Sequence, residues 1–231
     1  MNQISKIRAA GERGAHQALS QAAIWTPLPA RQWAHPRGLS GHLCGRMMAR
    51  GNECLNEWVV DRVAGRNTPP IRRVAEIGSG PGVGLTHLLS TFPTAQVWGI
   101  DRSAVMLRLA RRRNAPESRT GRLTLVRGDT TAVPDIAPVD LILAVQVLYF
   151  WPDPLTELRR LRRALTDCGT LGIGYQPQAT MQPSIQKAFS AAGYRICTAD
   201  PDITTLLREA GFKRVDVLAR GPHRLQLARP S

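Results

Sequence analysis

From about residue 70 onward the chain alternates short apolar runs with stretches whose apolar residues recur every three or four positions, a pattern of strands separated by amphipathic helices. Val74, Ala75 and Ile77 read as a short buried strand, and Leu85, Leu88 and Leu89 follow at helical spacing. Gln96 to Ile100 predicts a second strand, with Ser103 as N-cap of the next helix, and Leu123 to Val126 predicts a third. Asp140 to Tyr149 is the most hydrophobic run, so the spacing predicts a central strand buried on both faces. The helix after it, opened by Pro152 and closed by Asp167-Cys168-Gly169, carries Leu155, Leu158, Leu161 and Leu165 as one stripe and Arg159, Arg160, Arg162 and Arg163 on its remaining faces. Thr170 to Tyr175 predicts a fifth strand, residues 183–193 and 202–210 two more helices, and Phe212 to Arg220 with His223 to Arg229 a hairpin turning at Gly221-Pro222. Together these make an α/β chain with a mostly parallel seven-stranded sheet and a C-terminal antiparallel hairpin. No internal repeat is visible.

Upstream the pattern changes. Met47, Met48, Leu55, Trp58, Val59 and Val63 follow a helical period from Gly41 to near Gly65, with Pro69 and Pro70 just beyond. Residues 1 to about 40 are polar or Pro-rich, with Pro27, Pro29 and Pro36 breaking any regular element, so they are expected to lie over the domain as a lid. The chain divides accordingly into an N-terminal helical lid, residues 1–68, and a sheet domain, residues 69–231.

The chemistry concentrates in Arg73 to Leu89, RVAEIGSGPGVGLTHLL. Gly78, Gly80 and Gly82 let the turn after the first strand adopt backbone angles closed to other residues and let a ligand press on the main chain. Glu76 stands at the strand's carboxyl end, where ligands of such sheets bind. A dinucleotide GxGxxG counted from Gly78 needs its third glycine where Val83 stands, and the Gly-Lys-Ser/Thr of a phosphate loop is absent. The second strand ends in Asp101, at the spacing where an acid takes the two ribose hydroxyls of an adenosine. A carboxylate there suits a free 2′-hydroxyl, although neighbouring Arg102 leaves a 2′-phosphate open.

E-x-G-x-G-x-G after a hydrophobic strand, with Asp101 after the second, resembles motif I and the ribose-binding acid of the class I S-adenosylmethionine (SAM)-dependent methyltransferases. The resemblance covers about residue 70 to the end and implies a Rossmann-like fold. It implies cofactor binding by Glu76, Gly78, Ser79, Gly80, Gly82, Asp101, Arg102, Met106, Gly128, Asp129, Thr130 and Gln146. Within that set it places Asp129 at the adenine's exocyclic amine and the Thr130 amide at a ring nitrogen. It further implies S-adenosylhomocysteine (SAH) as product, and a helix before the first strand that helps close the substrate site. Methyl transfer is an in-line displacement that needs chiefly alignment, and a positioned base adds roughly 10² to 10⁴ in rate where the acceptor is a hydroxyl. By position the candidate bases are His35, His42 and Tyr149; His87 and His223 read as structural. The stretch VQVLYFW lacks the Asn/Asp-Pro-Pro-Tyr/Phe signature that presents an amine of DNA or protein in related enzymes. Trp25, Trp33, Tyr149, Phe150, Trp151 and Tyr175 are expected to line an apolar pocket, which makes a small apolar or aromatic metabolite the leading substrate class.

Composition adjusts this reading only a little. The net charge of +14 is carried mostly by arginine on amphipathic helices, as a solvated surface or as a patch for an anionic partner such as nucleic acid. A nucleic-acid-binding or RNA-modifying protein of the same fold, and an NAD(P)-dependent oxidoreductase, therefore stay open. Cys44, Cys54, Cys168 and Cys197 form no CxxC pair and no histidines stand at metal-ligand spacing, so reduced core thiols and no metal are expected. There is no apolar leader and no run long enough to span a bilayer, and a cytoplasmic location is expected. Nothing in the sequence sets the oligomeric state.

Overall fold

In a computed structural model the described residues are 34–65, 70–194 and 199–231. Trp25, Trp33, Cys197 and residues 1–33 and 66–68 of the expected lid lie outside them. A helix α1 (Gly38–Ala64) precedes a sheet of seven strands: β1 (Arg73–Ile77), β2 (Gln96–Asp101), β3 (Leu123–Arg127), β4 (Val139–Val145), β5 (Leu165–Tyr175), β6 (Arg214–Arg220) and β7 (His223–Arg229). Helices α2 (Val83–Thr91), α3 (Ala104–Arg113) and the short α4 (Ala115–Arg119) lie between β1 and β3 in sequence. Between β4 and β5 comes α5 (Pro154–Ala164), and α6 (Pro183–Ala191) and α7 (Asp200–Glu209) precede the final hairpin. The strand order is β3-β2-β1-β4-β5-β7-β6, and β7 alone is reversed, pairing antiparallel with both β5 and β6. The order changes direction at β1 and β4, whose carboxyl ends therefore border a crevice.

Alternation along the strands divides the core. Val74, Leu141, Leu143 and Val145 point to one face with Leu55, Trp58 and Val59 of α1 and Leu85 and Leu88 of α2. Ala75, Ile142 and Ala144 point to the other with Leu158 and Leu161 of α5, Phe189 of α6 and Leu207 of α7. The arginine-flanked stripe thus packs as its spacing requires, with Leu158 and Leu161 fully buried. α1 shares its core with the sheet.

Three expectations need correction. The fourth strand stops at Val145, because Gln146 adopts a left-handed conformation (φ 58°) and Leu148–Phe150 form a 3₁₀ turn. The fifth begins at Leu165, directly after α5; Val139 pairs with Leu165 but Leu141 with Thr170, so Thr166 to Gly169 bulge out of the ladder instead of closing the helix. Among the described cysteines Cys44 is buried, with its thiol pushed up to about 12 by burial, whereas Cys54 and Cys168 are exposed. Among the described residues no helix is long and apolar enough to cross a membrane.

Candidate active site

The turn after β1 is bolted to its neighbour, since the amides of Gly78 and Ser79 both donate to the carbonyl of Ile100 in β2 (2.8 and 3.1 Å). Gly78, Gly80 and Gly82 all have positive φ (67°, 52° and 83°). A Cβ on Gly78 would sit 2.2 Å from Val147 Cγ1 and one on Gly82 2.8 Å from Ala110 Cα, so packing demands glycine at both. At Gly80 the nearest such atom is 3.9 Å away, and the open space belongs to a cavity of about 280 Å³, near the low end for small-molecule pockets.

Two acids face this cavity from the ends of β1 and β2. Asp101 accepts the Gly80 amide on Oδ2 and the Ser103 amide on Oδ1 (both 2.8 Å). Burial pushes its carboxyl above the ordinary range, and those two amides oppose the shift. Glu76 is 3% exposed, packs against Gly84 at the start of α2, and its Oε2 has no hydrogen-bond partner among the described residues. Burial, with the nearby Asp101 charge, pushes Glu76 up to about 8, so with only these neighbours it is mostly protonated at pH 7.

The end of β3 adds Gly128, Asp129 and Thr130 to the cavity wall. Asp129 caps the following 3₁₀ turn by accepting from the Thr131 hydroxyl and amide and pairs with Arg102 (3.0 Å); the Thr131 hydroxyl first, then the Thr131 amide and Arg102, hold its carboxyl below the usual range. The Thr130 hydroxyl donates to Glu157, and Arg160 donates to both Thr130 (2.8 Å) and Glu157 (2.5 Å), so this corner is fixed from α5.

All twelve expected cofactor residues except Gly82 line the cavity; Gly82 supports the turn from behind. The candidate bases separate. His35 lines the cavity at the nucleoside end, because the carbonyl of neighbouring Pro36 accepts the Ser103 hydroxyl (2.6 Å); burial and the charges of Arg37, Arg102 and Arg127 depress its pKa. His42, on α1, does not line the cavity. Tyr149 is buried, and its hydroxyl accepts the Gln176 amide (2.5 Å) and lies 2.8 Å from Gln146 Oε1, fastening the end of β4 to that of β5. Tyr175 is likewise enclosed, donating to Asp200 (2.6 Å) and accepting from Gln226 (2.9 Å). Neither tyrosine lines the cavity, contrary to the pocket expected of them, while Phe150 and Trp151 do.

Sequence reasoning missed the six other lining residues with polar side chains: Asn52, Asn56, Glu157, Gln176, Tyr194 and His223. Met48, Asn52 and Asn56 recur four apart on α1, and that spacing was the available signal for one polar stripe facing a site. His223 had none, because only the reversal of β7 beside β5 carries it there.

A family model described as a methyltransferase domain matches residues 74–169. The uncharacterised methyltransferase YdaC of Bacillus subtilis is 29% identical over 177 residues, covering 76% of this chain and 88% of that protein. A trans-aconitate 2-methyltransferase of Variovorax paradoxus is 41% identical over 105 residues, 46% of this chain and 39% of its own length. The structure of the mitomycin 7-O-methyltransferase MmcR aligns with a TM-score of 0.63 at 19% identity, over 82% of this chain and 58% of that one. The chain thus spans most of YdaC but less than two thirds of the other two. The model match runs from β1 into β5 and takes in both the glycine turn and the acid that ends β2; with the sheet order and these likenesses, it makes the chain similar to SAM-dependent methyltransferases of class I.

Proposed function

We propose that this protein moves the sulfonium methyl of SAM to a nucleophilic atom of a small, partly aromatic molecule. The observation that carries the reading is one continuous cavity, with Glu76, Gly80 and Asp101 at one end and Phe150, Trp151 and His223 at the other. SAM supplies a methyl already activated by its sulfonium; the residues bind, align and exclude water. Asp101 takes the ribose hydroxyls, and Asp129 with the Thr130 amide takes the adenine edge beside Met106. Glu76 faces the ammonium and the N-terminus of α2 the carboxylate of the methionine end, a fit supported by the unpartnered Glu76 Oε2 beside Gly84. Gln146, held in its left-handed conformation between β4 and β5, fixes where cofactor meets acceptor. Ala34 to Pro36 and the Met48-Asn52-Asn56 stripe of α1 roof the cavity. SAH is the product.

The Variovorax relative is named for trans-aconitate and MmcR for the 7-oxygen of mitomycin, both small molecules, which supports that size class for the acceptor. Thermal stabilisation by SAH, followed by a screen of small acceptors with labelled SAM, tests the reading. A protein that SAH leaves unstabilised and NAD(P) stabilises would refute it.

A further inference from the structure

At the end of the cavity away from Glu76 and Asp101, His223 is the first residue of β7. The sheet puts it there: Tyr175 of β5 pairs with Arg224, so His223 lies one step past that pair, beside Gln176 where β5 leaves the ladder. β7 is three strands from β1, about 14 Å at the usual strand spacing. His35 by contrast is tethered through Pro36 to the start of α3, beyond the end of β2. The other lining residues at the far end, among them Asn52, Asn56, Phe150, Trp151 and Gln176, have no group that takes up a proton at neutral pH.

We infer that His223 is the general base for methyl transfer and that the acceptor is an acidic hydroxyl, a phenol or enol, an assignment that rests on the SAM-dependent reading of the cavity. The acceptor O–H breaks with its proton passing to a ring nitrogen of His223. The oxygen lone pair forms the O–CH₃ bond as the S–CH₃ bond breaks with its electron pair on sulfur. The products are the methyl ether, SAH and an imidazolium that returns its proton to water.

The surroundings keep the ring neutral, at the cost of an imidazolium that forms beside two arginines. Burial, then the charges of Arg220 on β6 and Arg224 on β7, hold His223 down to about 4, so it is neutral at pH 7 and able to accept a hydrogen bond. Arg224 is itself paired with Asp200 of α7 (3.0 Å), Arg220 donates to the Cys54 carbonyl of α1, and the lining residues of α1 at this end are uncharged. A base this weak suits a proton donor that is already acidic. A carboxylate acceptor has no proton to give, and an ammonium would be repelled by the two arginines.

The test follows transfer of labelled methyl from SAM to phenols of graded acidity, from phenol to 4-nitrophenol, with trans-aconitate and benzoate as carboxylates. Wild type, His223→Ala and His223→Gln are compared, and SAH binding is measured by calorimetry. Both variants should bind SAH like wild type and lose roughly 10²- to 10⁴-fold in kcat on phenol. The loss should shrink below about tenfold on 4-nitrophenol at pH 9, where that acceptor is already ionised, and added imidazole should partly restore His223→Ala. Equal losses along the series, no loss, or a wild type that binds SAH yet methylates only carboxylates or no phenol overturns the assignment. Failure of wild type to bind SAH is a separate result, which overturns the cofactor reading and the base with it.

Discussion

Glu76→Gln separates what the buried carboxyl costs from what it does. Folding holds the Glu76 proton up to about pH 8, whereas an unfolded chain releases it near 4.5. Between those values the unfolded state binds fewer protons than the native one, so stability falls as pH rises, by about 1.4 kcal/mol per pH unit for a single proton. The protonated form's contribution is full below about 4.5 and is lost as pH rises through about 8. By pH 7 wild type has therefore given up roughly 3 kcal/mol, while an amide of the same shape gives up none. For a domain of this size that is about 6–12 °C in Tm. Thermal denaturation without ligand at pH 5, 6, 7 and 8 should show Glu76→Gln pulling ahead of wild type as pH rises, with little difference at pH 5. Binding runs the other way: removing a charged acceptor from the ammonium costs roughly 1.5–3 kcal/mol, about ten- to a hundredfold in SAH affinity. Wild-type affinity should also rise with pH towards 8, because the ligand's cation favours the ionised acid. A Tm difference that stays flat from pH 5 to 8, or a variant less stable than wild type at pH 8, would refute the reasoning.

Other substitutions divide binding from folding. Asp101→Ala should weaken SAM about tenfold or more by calorimetry, since it removes a charged acceptor of the ribose hydroxyls; unchanged affinity in a folded variant would sink that placement. Gly80→Val should abolish SAH binding at the roughly 1–3 kcal/mol strain of a side chain at positive φ, whereas Gly78→Ala, at positive φ and also driven into Val147, should cost about 2–4 kcal/mol of stability even without ligand. Both are read by denaturation and calorimetry, and equal behaviour of the two would contradict the division of labour in the turn.

How much of this was legible varied with the range of the cause. The αβ repeat and the two acids at the strand ends were readable because a strand, a tight turn and a helix are local, and one such unit sets the distance from Glu76 to Asp101. The end of β4 was not, because hydrophobicity reports burial and not dihedral angle: Leu148 and Tyr149 are as buried in their 3₁₀ turn as they would be in a strand. The roles of Tyr149 and Tyr175 depended on partners remote in sequence, Gln176 for the first and Asp200 and Gln226 for the second, which turn both hydroxyls away from the cavity. His223 was illegible for the same reason on a larger scale, since its place is set by the pairing of the last strand with the fifth.

A chain with a net charge of +14 nonetheless gathers four acids along one side of its cavity, at the ends of β1, β2 and β3 and on α5, and they differ in what already satisfies them. Asp129 has Arg102, Glu157 has Arg160, and Asp101 has two backbone amides. Glu76 alone keeps a buried oxygen without a hydrogen-bond partner among the described residues. A buried carboxyl left in that state costs stability whether it is ionised or protonated, and one recovers the cost when a cation with hydrogen-bond donors arrives. The site is therefore built to be completed by a ligand carrying an ammonium at the Glu76 end and two hydroxyls at the Asp101 end. A nicotinamide dinucleotide has ribose hydroxyls but presents pyrophosphate where the ammonium belongs, so Glu76, more than the glycines that the two cofactor classes share, argues for SAM.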